Sequence, residues 1–394
     1  MSNEQRGIHW LGAGLASVPG IRRLAAKGYP LTVWERDLDK ARVAVKGLED
    51  KIELRVSEPG ALESHVRAGD IVISMLPSSM HDETARFCLK NGAHFVSSSY
   101  TSPTMHDLSD VAKAKGLTIV NEVGLDPGID HLLAHLLIDD YQNSGLLDRT
   151  NEHDFQSYCG GFPAIANDFK YKFSWSPLGV LKALRSPARA ILNGTTVDIE
   201  RPWDAVEDYS VVMGGVSETF QSYPNRNSLP FMADYGMDED WIISRFVRGT
   251  LRLAGWKEAW SDIFRSLETN GSDDAELETL SDRLWADHAY VEGERDRVVL
   301  SVELKVTRDG KTLWHKAKSL DAYGTAKSSA MARLVSIPVS LATEALWHGR
   351  LASGVVTAPK DPAIIRAWLE TIAENGDLIH HTDYMIEERM IAAE

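Results

Sequence analysis

Short apolar runs alternate with helix-patterned segments over the first third of the chain. Six of these runs read as strands: GIHWLG, LTVWE, KIELRV, DIVISML, AHFVSS and LTIVNE. The segments between them carry apolar residues at helical spacing, and several end in glycine, as helices do before a following strand. Strands that alternate with helices of this length indicate βαβ units. The pattern therefore predicts an α/β fold, with a Rossmann-type, doubly wound parallel sheet in a dinucleotide-binding domain over residues 1–124.

The pattern changes after residue 128. Longer strands follow, and VVLSVELKVTRDGKTLWHKAKSL predicts a hairpin that turns at Asp309 and Gly310. We therefore predict a second, α+β domain for substrate binding and dimerisation over residues 125–345. A helical subdomain is expected around residues 236–290, which include an acidic helix-patterned stretch. The C-terminal segment 346–394 is expected to pack on the first domain and complete it.

Composition narrows the class of protein. Of the 394 residues, 42 are Lys or Arg and 57 are Asp or Glu, which gives a net charge of −15. Such an acidic surface argues against binding to nucleic-acid phosphates or to anionic membranes. Two cysteines cannot support a disulfide framework, no charged-then-apolar leader is present, and no apolar run approaches the ~20 residues of a membrane span. These features predict a cytoplasmic protein with a small-molecule ligand and with no nucleic-acid or membrane partner.

A glycine-rich loop follows the first predicted strand and opens a helix. Its sequence is GAGLAS, residues 12–17, which has the form G-x-G-x-x-S. Gly12 permits a tight turn, and Gly14 lets a pyrophosphate approach the backbone at the helix N-terminus. Ser17 is small enough for close packing of the helix on the strand. Because the strand, the helix and the βαβ context are all correct, the loop predicts a dinucleotide site.

Glu35 and Arg36, at the end of the second strand, bear on the choice of cofactor. Glu35 lies 21 residues after Gly14, where a carboxylate would accept the ribose 2′-hydroxyl of NAD. Arg36 could instead pair with the 2′-phosphate of NADP. A carboxylate and a phosphate would repel each other at this position, so we predict NAD, with NADP as the other candidate.

Polar residues cluster where the later strands end, at the carboxyl edge of the sheet where such folds bind ligands. Leu76 and Pro77 follow the fourth strand, and Ser98, Ser99 and Tyr100 follow the fifth. We place the nicotinamide and a polar substrate at this edge. The predicted cofactor-binding residues are Gly12, Ala13, Gly14, Leu15, Ala16, Glu35, Arg36, Leu76, Pro77 and Ser98.

The sixth strand runs into the stretch GLDPGIDH. Asp126 followed by Pro127 has the form of a helix N-cap with proline at the first helical position. The same aspartate follows the carboxyl end of a strand, so capping does not exclude a substrate contact. Asp130 lies one turn further along and reads as structural. His131 and His135 share one helix face, but the sequence offers no third ligand and we predict no metal site.

Several stretches beyond this point are dense in polar and small residues: SYCGGFP, YKFSWSP, YPNRNS, VRGTLR and EGERD. Together with GLDPGIDH and a later SAMA-L, they resemble the saccharopine dehydrogenase family, in its glutamate-forming saccharopine reductase branch. The resemblance runs from the first glycines to about residue 358 and thus covers nearly the whole chain.

The resemblance implies an NAD(P)-dependent oxidoreductase of lysine metabolism that acts on a CH–NH group. Its reaction is the oxidation of L-saccharopine to 2-aminoadipate 6-semialdehyde and L-glutamate. The resemblance also implies that Tyr100, Asp126 and Cys159 are catalytic-site residues near the substrate amine. We expect Cys159 to make a contact rather than to act as a nucleophile, because a buried cysteine usually behaves as a small hydrophobe.

Saccharopine carries three carboxylates, so cations are expected in the second domain. Arginine can grip a carboxylate through two parallel hydrogen bonds. Arg226 is the strongest candidate, since Pro224 and two flanking asparagines make a rigid loop, whereas Lys172 and Arg248 fit structural ion pairs equally well. The predicted substrate-binding residues are Ser99, Gly160, Lys172, Arg226 and Arg248.

Two other functions stay open. One is a related imine reductase of polyamine metabolism, of the carboxynorspermidine or homospermidine type, which the YPNR and VRGTLR arginines argue against. The other is a catalytically silent NAD-binding regulatory protein, which the intact set of Tyr100, Asp126 and Cys159 argues against. A homodimer is expected, and the sequence leaves open the physiological direction and whether lysine is degraded or made.

Overall fold

The computed structural model describes residues 6–58, 60–237, 239–270 and 274–386. The strands are β1 Ile8–Leu11, β2 Leu31–Glu35, β3 Ile52–Val56, β4 Ile71–Ser74, β5 His94–Ser97, β6 Thr118–Val120, β7 Glu152–Pro163, β8 Ala188–Leu192, β9 Thr195–Ile199, β10 Glu207–Met213, β11 Val216–Pro224, β12 Ile242–Leu253, β13 Asp296–Arg308, β14 Lys311–Tyr323, β15 Gly354–Val356 and β16 Leu378–Asp383. The helices are α1 Val18–Ala26, α2 Leu38–Val45, α3 His81–Asn91, α4 Pro103–Asp107, α5 Ser109–Ala114, α6 Ile129–Gln142, α7 Pro177–Arg185, α8 Pro230–Asp234, α9 Trp256–Ala259, α10 Ser261–Asn270, α11 Asp274–His288, α12 Ala330–Trp347 and α13 Pro362–Ala373.

The chain divides into two compact units, of which the first comprises residues 1–131 and 331–372. Its sheet has the order β15-β6-β5-β4-β1-β2-β3, and every neighbouring pair is parallel. Apart from β15, this is the 3-2-1-4-5-6 order of a Rossmann sheet. All six strands predicted from the sequence are present, and the predicted doubly wound fold is confirmed.

The centre of this sheet is covered on both faces. β1 and β4 are buried along their whole length, which is why IHWL and IVIS read as continuous apolar runs rather than as alternating ones. α1 packs closely on β1 at Gly20, where an added Cβ would lie 2.6 Å from the Trp10 ring. Ser17, to which the sequence assigned close packing, is also buried and directly precedes α1.

The second unit comprises residues 132–330 and 373–394. Its sheet has the order β10-β11-β12-β7-β13-β14-β16, with β8 and β9 attached beside β12. β7 and β12 run parallel, and the other pairs are antiparallel. The sheet curls so far that the hydroxyls of Ser319 and Thr382 both donate to the Val212 carbonyl in β10, at 3.1 and 3.3 Å. The predicted α+β second domain is therefore confirmed in its class.

The two faces of this sheet bury different clusters. Phe220 of β11 joins an apolar cluster inside the curl, together with Tyr158 and Phe162 of β7. Tyr223, three residues further along β11, lies on the opposite face of the sheet. It joins a cluster with Trp256 and other residues of α7, α9, α10 and α11. Alternation of side chains along a strand thus separates an inner face from a helix-covered face.

Two segments differ from their predicted assignments. Residues 242–253 lie inside the range assigned to a helical subdomain, yet they form β12 because their backbone pairs with both β7 and β11. The C-terminal segment 346–394 does not join the first unit as one piece. β15 extends the first sheet, whereas β16 pairs with β14 of the second sheet, and residues 387–394 lie outside the described residues. The remaining domain limits stay predictions.

The predicted hairpin at Asp309 and Gly310 is confirmed, since β13 and β14 pair in antiparallel register on either side of it. Within the described ranges, every helix is too short or too polar to span a lipid bilayer.

Candidate functional site

The glycine loop between β1 and α1 has the conformation that a pyrophosphate site requires. Gly12 has φ +88°, in the left-handed region that favours glycine, and its N–H donates to the Trp34 carbonyl at 2.8 Å. A Cβ added to Gly14 would meet no atom within 4 Å, so the backbone there borders open space. The loop continues through the exposed Leu15 and the half-buried Ala16 to the N-terminus of α1, where anions bind well. These residues fit the pyrophosphate of a nicotinamide dinucleotide.

Glu35 is tied to this loop by a contact that the sequence does not reveal. Its Oε2 accepts a hydrogen bond from the Ala13 N–H at 2.8 Å, and its Oε1 accepts one from the Arg36 N–H at 2.9 Å. The carboxylate is therefore held at the end of β2, beside the glycine loop. Arg36 is exposed.

The carboxyl edge of the first sheet holds the other residues predicted for the cofactor. Leu76 is half-buried and Pro77 is exposed after β4, and Ser98 is half-buried after β5. Behind them, the Ser97 hydroxyl donates to Oδ1 of the buried Asn121 at 2.9 Å. This bond joins the ends of β5 and β6 and fixes the spacing of the loops that follow.

Tyr100 and Asp126, two of the residues predicted to be catalytic, are brought together at this edge. The Tyr100 hydroxyl donates to Oδ1 of Asp126 at 2.7 Å, and both side chains are half-buried. The predicted N-cap role of Asp126 is wrong, since α6 begins at Ile129. Residues 124–128 instead fold back on themselves, with the Gly124 N–H donating to the Pro127 carbonyl at 2.9 Å. The carboxylate is thereby directed to the tyrosine.

Glu122 is a buried residue of this edge that the sequence reading did not single out. It lies two residues after the end of β6, is 5% exposed, and accepts a hydrogen bond from the Thr101 N–H at 2.8 Å. The signal available in the sequence was a carboxylate at the end of an otherwise apolar strand, four residues before Asp126.

In the second unit, the helix-covered face of the sheet gathers further predicted residues. Arg248, Thr250 and Arg252 alternate along β12 and therefore share a face. Thr250 lies opposite Cys159 on β7 and opposite Tyr223 on β11. Directly opposed residues have Cβ atoms about 5 Å apart, so Cys159 lies among these arginines. Cys159 is 8% exposed.

Arg226 lies in a loop that four hydrogen bonds hold. The Asn225 N–H donates to the Arg248 carbonyl at 2.9 Å, and the Arg248 N–H donates to the Ser228 hydroxyl at 2.9 Å. On the other side, the Arg189 N–H donates to the Arg226 carbonyl, and the Ser228 N–H donates to the Arg189 carbonyl, both at 2.8 Å. The Arg226 side chain is exposed, on a backbone fixed at φ +58°. A loop with a fixed backbone thus presents an exposed cation.

Arg252 is a second residue that the sequence reading missed, although it stands four positions after Arg248 in VRGTLR. It is 6% exposed, and its guanidinium lies 4.9 Å from the ring centre of Tyr171, 5.5 Å from that of Tyr223 and 5.3 Å from that of Trp256. Among the described residues, no carboxylate lies within ion-pair distance of it, and its Nε has no hydrogen-bond partner. Arg248 is 4% exposed, with its guanidinium 3.9 Å from the Phe231 ring centre.

Lys172 and Gly160 have structural surroundings. The Lys172 ammonium pairs with the Glu294 carboxylate, at 2.7 Å to Oε1, so its charge is met within the chain. This favours the structural alternative for Lys172. Gly160 lies on β7, where an added Cβ would collide with the Leu251 carbonyl of β12, so glycine is needed for the two strands to approach.

No group of three or more His, Cys, Asp or Glu side chains is arranged to hold a metal ion in the parts of the chain that the structure describes. His131 is paired instead with Glu122, whose Oε2 lies 3.3 Å from its Nε2. His135 packs edge-on against the Tyr235 ring, with ring centres 5.4 Å apart.

Comparison with known families identifies both units. Residues 8–120 match the family model for the saccharopine dehydrogenase NADP binding domain, and residues 124–377 match that for the saccharopine dehydrogenase C-terminal domain. Together the two matches span most of the chain.

Individual relatives agree with these matches. The saccharopine dehydrogenase [NADP(+), L-glutamate-forming] of Pyricularia oryzae is 30% identical, over 91% of this chain and 94% of that protein. The solved structure of the apo, histidine-tagged saccharopine dehydrogenase (L-Glu forming) from Saccharomyces cerevisiae matches with a TM-score of 0.78 and 27% identity, over 96% of this chain and 99% of that chain. A homospermidine synthase from Legionella pneumophila in complex with NAD has a TM-score of 0.65 at 9% identity, over 96% of this chain and 91% of that chain, and shows a shared fold.

Proposed function

The chain belongs to the saccharopine dehydrogenase family, and from this premise we propose that it oxidises L-saccharopine with a nicotinamide dinucleotide. The products are 2-aminoadipate 6-semialdehyde and L-glutamate. When bound, the nicotinamide would accept a hydride from the methylene carbon beside the secondary amine of the substrate, while the amine nitrogen gives up a proton. The resulting substrate imine takes up one water and breaks at its C–N bond, which leaves an aldehyde and the amine of glutamate.

The observation that carries this proposal is the hydrogen bond from Tyr100 to Asp126 at the carboxyl edge of the parallel sheet. The edge is where ligands bind in this fold, and a carboxylate there can hold and orient a cationic amine. The tyrosine hydroxyl, by donating to Oδ1, holds the Asp126 carboxylate at this edge. Asp126 acts in this proposal by binding and orienting the amine, and the identity of the general base stays open.

The arginines of the second unit suit the substrate carboxylates. A buried charge is stable when it is paired, and around the Arg252 guanidinium the described part of the chain places aromatic side chains, including the Tyr223 phenol, and one backbone carbonyl, but no carboxylate. We propose that Arg226, Arg248 and Arg252 bind the substrate carboxylates. Lys172 instead has a structural role, since it holds the turn that contains Glu294. Cys159, on the same face, makes a contact with the substrate.

For the cofactor we propose NAD as the preferred partner and NADP as an accepted one. The relatives carry NADP(+) in their names, and the family model describes an NADP binding domain. In this chain, however, Glu35 holds a carboxylate beside the glycine loop. A carboxylate there can accept the ribose 2′-hydroxyl and would repel a 2′-phosphate.

The test is absorbance at 340 nm when purified protein is mixed with L-saccharopine, in parallel with NAD and with NADP. A rise at 340 nm with saccharopine, and none with lysine or glutamate alone, is expected, and the rise should be faster with NAD. Absence of a rise with either cofactor, in protein shown to bind NADH by fluorescence, would overturn the assignment. Turnover of polyamine imines in the reductive direction by the same protein would favour the polyamine alternative.

The homodimer and the cytoplasmic location expected from the sequence stay predictions. Light scattering on the purified chain measures the first, and fractionation of the source cells measures the second.

A further inference from the structure

Glu122 is a buried carboxylate that contacts the residues on either side of Tyr100, and it has an unusual backbone conformation. Its φ is +59°, a left-handed conformation that costs a residue with a Cβ on the order of 1–3 kcal/mol. Such a conformation persists only where the surroundings impose it, and it is common next to functional groups. Here the surroundings that impose it are the two loops that carry Tyr100 and Asp126.

On one side, Glu122 forms hydrogen bonds with both residues that flank Tyr100 in the chain. The Glu122 N–H donates to the Ser99 carbonyl at 3.0 Å, and Glu122 Oε1 accepts from the Thr101 N–H at 2.8 Å. The backbone on either side of Tyr100 is thereby tied to one residue.

On the other side, Glu122 reaches the segment of Asp126. Its Oε2 lies 3.3 Å from Nε2 of His131, which is 1% exposed in the first turn of α6. In the same turn, Asp130 accepts from the Gly128 N–H at 2.6 Å, and its own N–H donates to the Leu125 carbonyl at 3.1 Å. His131 therefore belongs to a turn that is bonded back to both flanks of Asp126.

The charge state of Glu122 is consistent with this geometry. Burial alone would raise the pKa of a carboxyl group, but the neighbouring His131 and the Thr101 N–H outweigh it and hold the pKa of Glu122 below its usual range. The group is therefore a carboxylate at neutral pH, which accepts from the Thr101 N–H and faces the His131 ring.

We propose that Glu122, paired with His131, is a positioning residue that sets the geometry of the Tyr100–Asp126 pair. This inference rests on the proposed function for the roles of Tyr100 and Asp126. Glu122 need not touch the substrate, because it acts through the backbone of the two loops. A misplacement of about 1 Å in such a pair costs on the order of a hundredfold in rate.

The experiment compares Glu122→Gln with Asp70→Asn as a matched control. Asp70 is also a buried carboxylate of the first unit, 3.1 Å from a histidine and bonded to two backbone N–H groups, but it lies before β4, at the amino edge of the sheet. We expect Glu122→Gln to lower kcat about tenfold to a hundredfold, with the KM for saccharopine and the Kd for NADH changed less than about threefold. Asp70→Asn should lower the unfolding midpoint and leave kcat within about twofold.

A double-mutant cycle with Tyr100→Phe tests the route of action. If Glu122 acts through Tyr100, Glu122→Gln should slow the Tyr100→Phe enzyme far less than it slows wild type. Equal slowing in both backgrounds, or a Glu122→Gln enzyme with normal kcat and only reduced stability, would overturn the inference.

The cycle also separates this inference from the proposed function. If wild type binds NADH but does not oxidise saccharopine, the proposed function fails. The coupling between Glu122 and Tyr100 is then measured from the urea unfolding midpoints of the same four proteins. The stability cost of Glu122→Gln should then shrink in the Tyr100→Phe background if the two residues are coupled. An undiminished cost in that background would overturn the positioning role as well.

Discussion

Among single residues, Glu35 has the clearest consequence for cofactor choice. Its carboxylate is fixed by the Ala13 N–H beside the glycine loop, and Arg36 stands next to it with an exposed side chain. We expect Glu35→Ser to weaken NADH binding and to strengthen NADPH binding, each by about tenfold. A hydrogen bond to a charged group is worth ~1.5–3 kcal/mol, and ~1.4 kcal/mol is a factor of ten in Kd. Fluorescence titration with NADH and NADPH measures both constants without any substrate.

Glu35→Gln is the matched control for this prediction. Its amide oxygen can still accept from the Ala13 N–H, so the loop should keep its shape while the charge is lost. We expect an intermediate ratio of the two dissociation constants. An unchanged ratio in both variants would show that the carboxylate does not set the preference.

Among the structural elements, the loop after β11 carries Arg226. Its side chain is exposed, and backbone hydrogen bonds to Arg248 and Arg189 hold the loop in place. If this side chain binds a carboxylate of the substrate, Arg226→Met should raise the KM for saccharopine by about tenfold to a hundredfold and leave the Kd for NADH unchanged. The matched control is Arg189→Met. That side chain is also an exposed arginine, and its guanidinium pairs with Asp198, at 2.6 and 2.8 Å.

Steady-state rates over a range of saccharopine concentrations separate the two variants. An exposed ion pair contributes little, about 0–1 kcal/mol, so Arg189→Met should keep a normal KM. A similar rise of KM in both variants would mean that the loop was disturbed as a whole, and the assignment of Arg226 would fall.

Elements also differ in how well the sequence reveals them. The first sheet is predictable except for β15, because its other strands lie in short, largely apolar runs between helices, so local pattern and final position agree. β12 is not predictable in this way. Its sequence IISRFVRGTLRL carries arginines at positions 245, 248 and 252, a spacing of three and four residues that also suits a helix face. It becomes a central strand only through pairing with β11 and with β7, which lies far away in the sequence.

The candidate site follows the same rule. The loop glycines and the position of Asp126 after a strand could be read from local pattern. The hydrogen bond from Tyr100 to Asp126, the support from Glu122 and the shared face of Arg248 and Arg252 depend on which segments become neighbours. No local pattern contains that information, so the N-cap reading of Asp126 was locally reasonable and structurally wrong.

For the whole molecule, buried histidines determine how stability should respond to mild acid. Burial lowers the pKa of His81 and His153, and it lowers that of His94 to about 4, with help from the nearby positive charge of Arg6. In the unfolded chain, histidine titrates near pH 6.5. The unfolded state therefore binds more protons than the folded state between about pH 6.5 and pH 4, and the free energy of unfolding must fall as the pH is lowered through that window.

His94 allows this to be tested at one position. Its Nδ1 accepts a hydrogen bond from the Thr118 N–H at 3.0 Å, which requires the neutral ring. We expect urea unfolding midpoints of wild type to decrease steadily from pH 7.5 to pH 5. In His94→Asn the decrease should be smaller, since the amide oxygen can accept from Thr118 without titrating. His106→Asn, a change at an exposed histidine, should follow wild type. Parallel curves for all three proteins would show that His94 is not one of the groups whose protonation destabilises the fold.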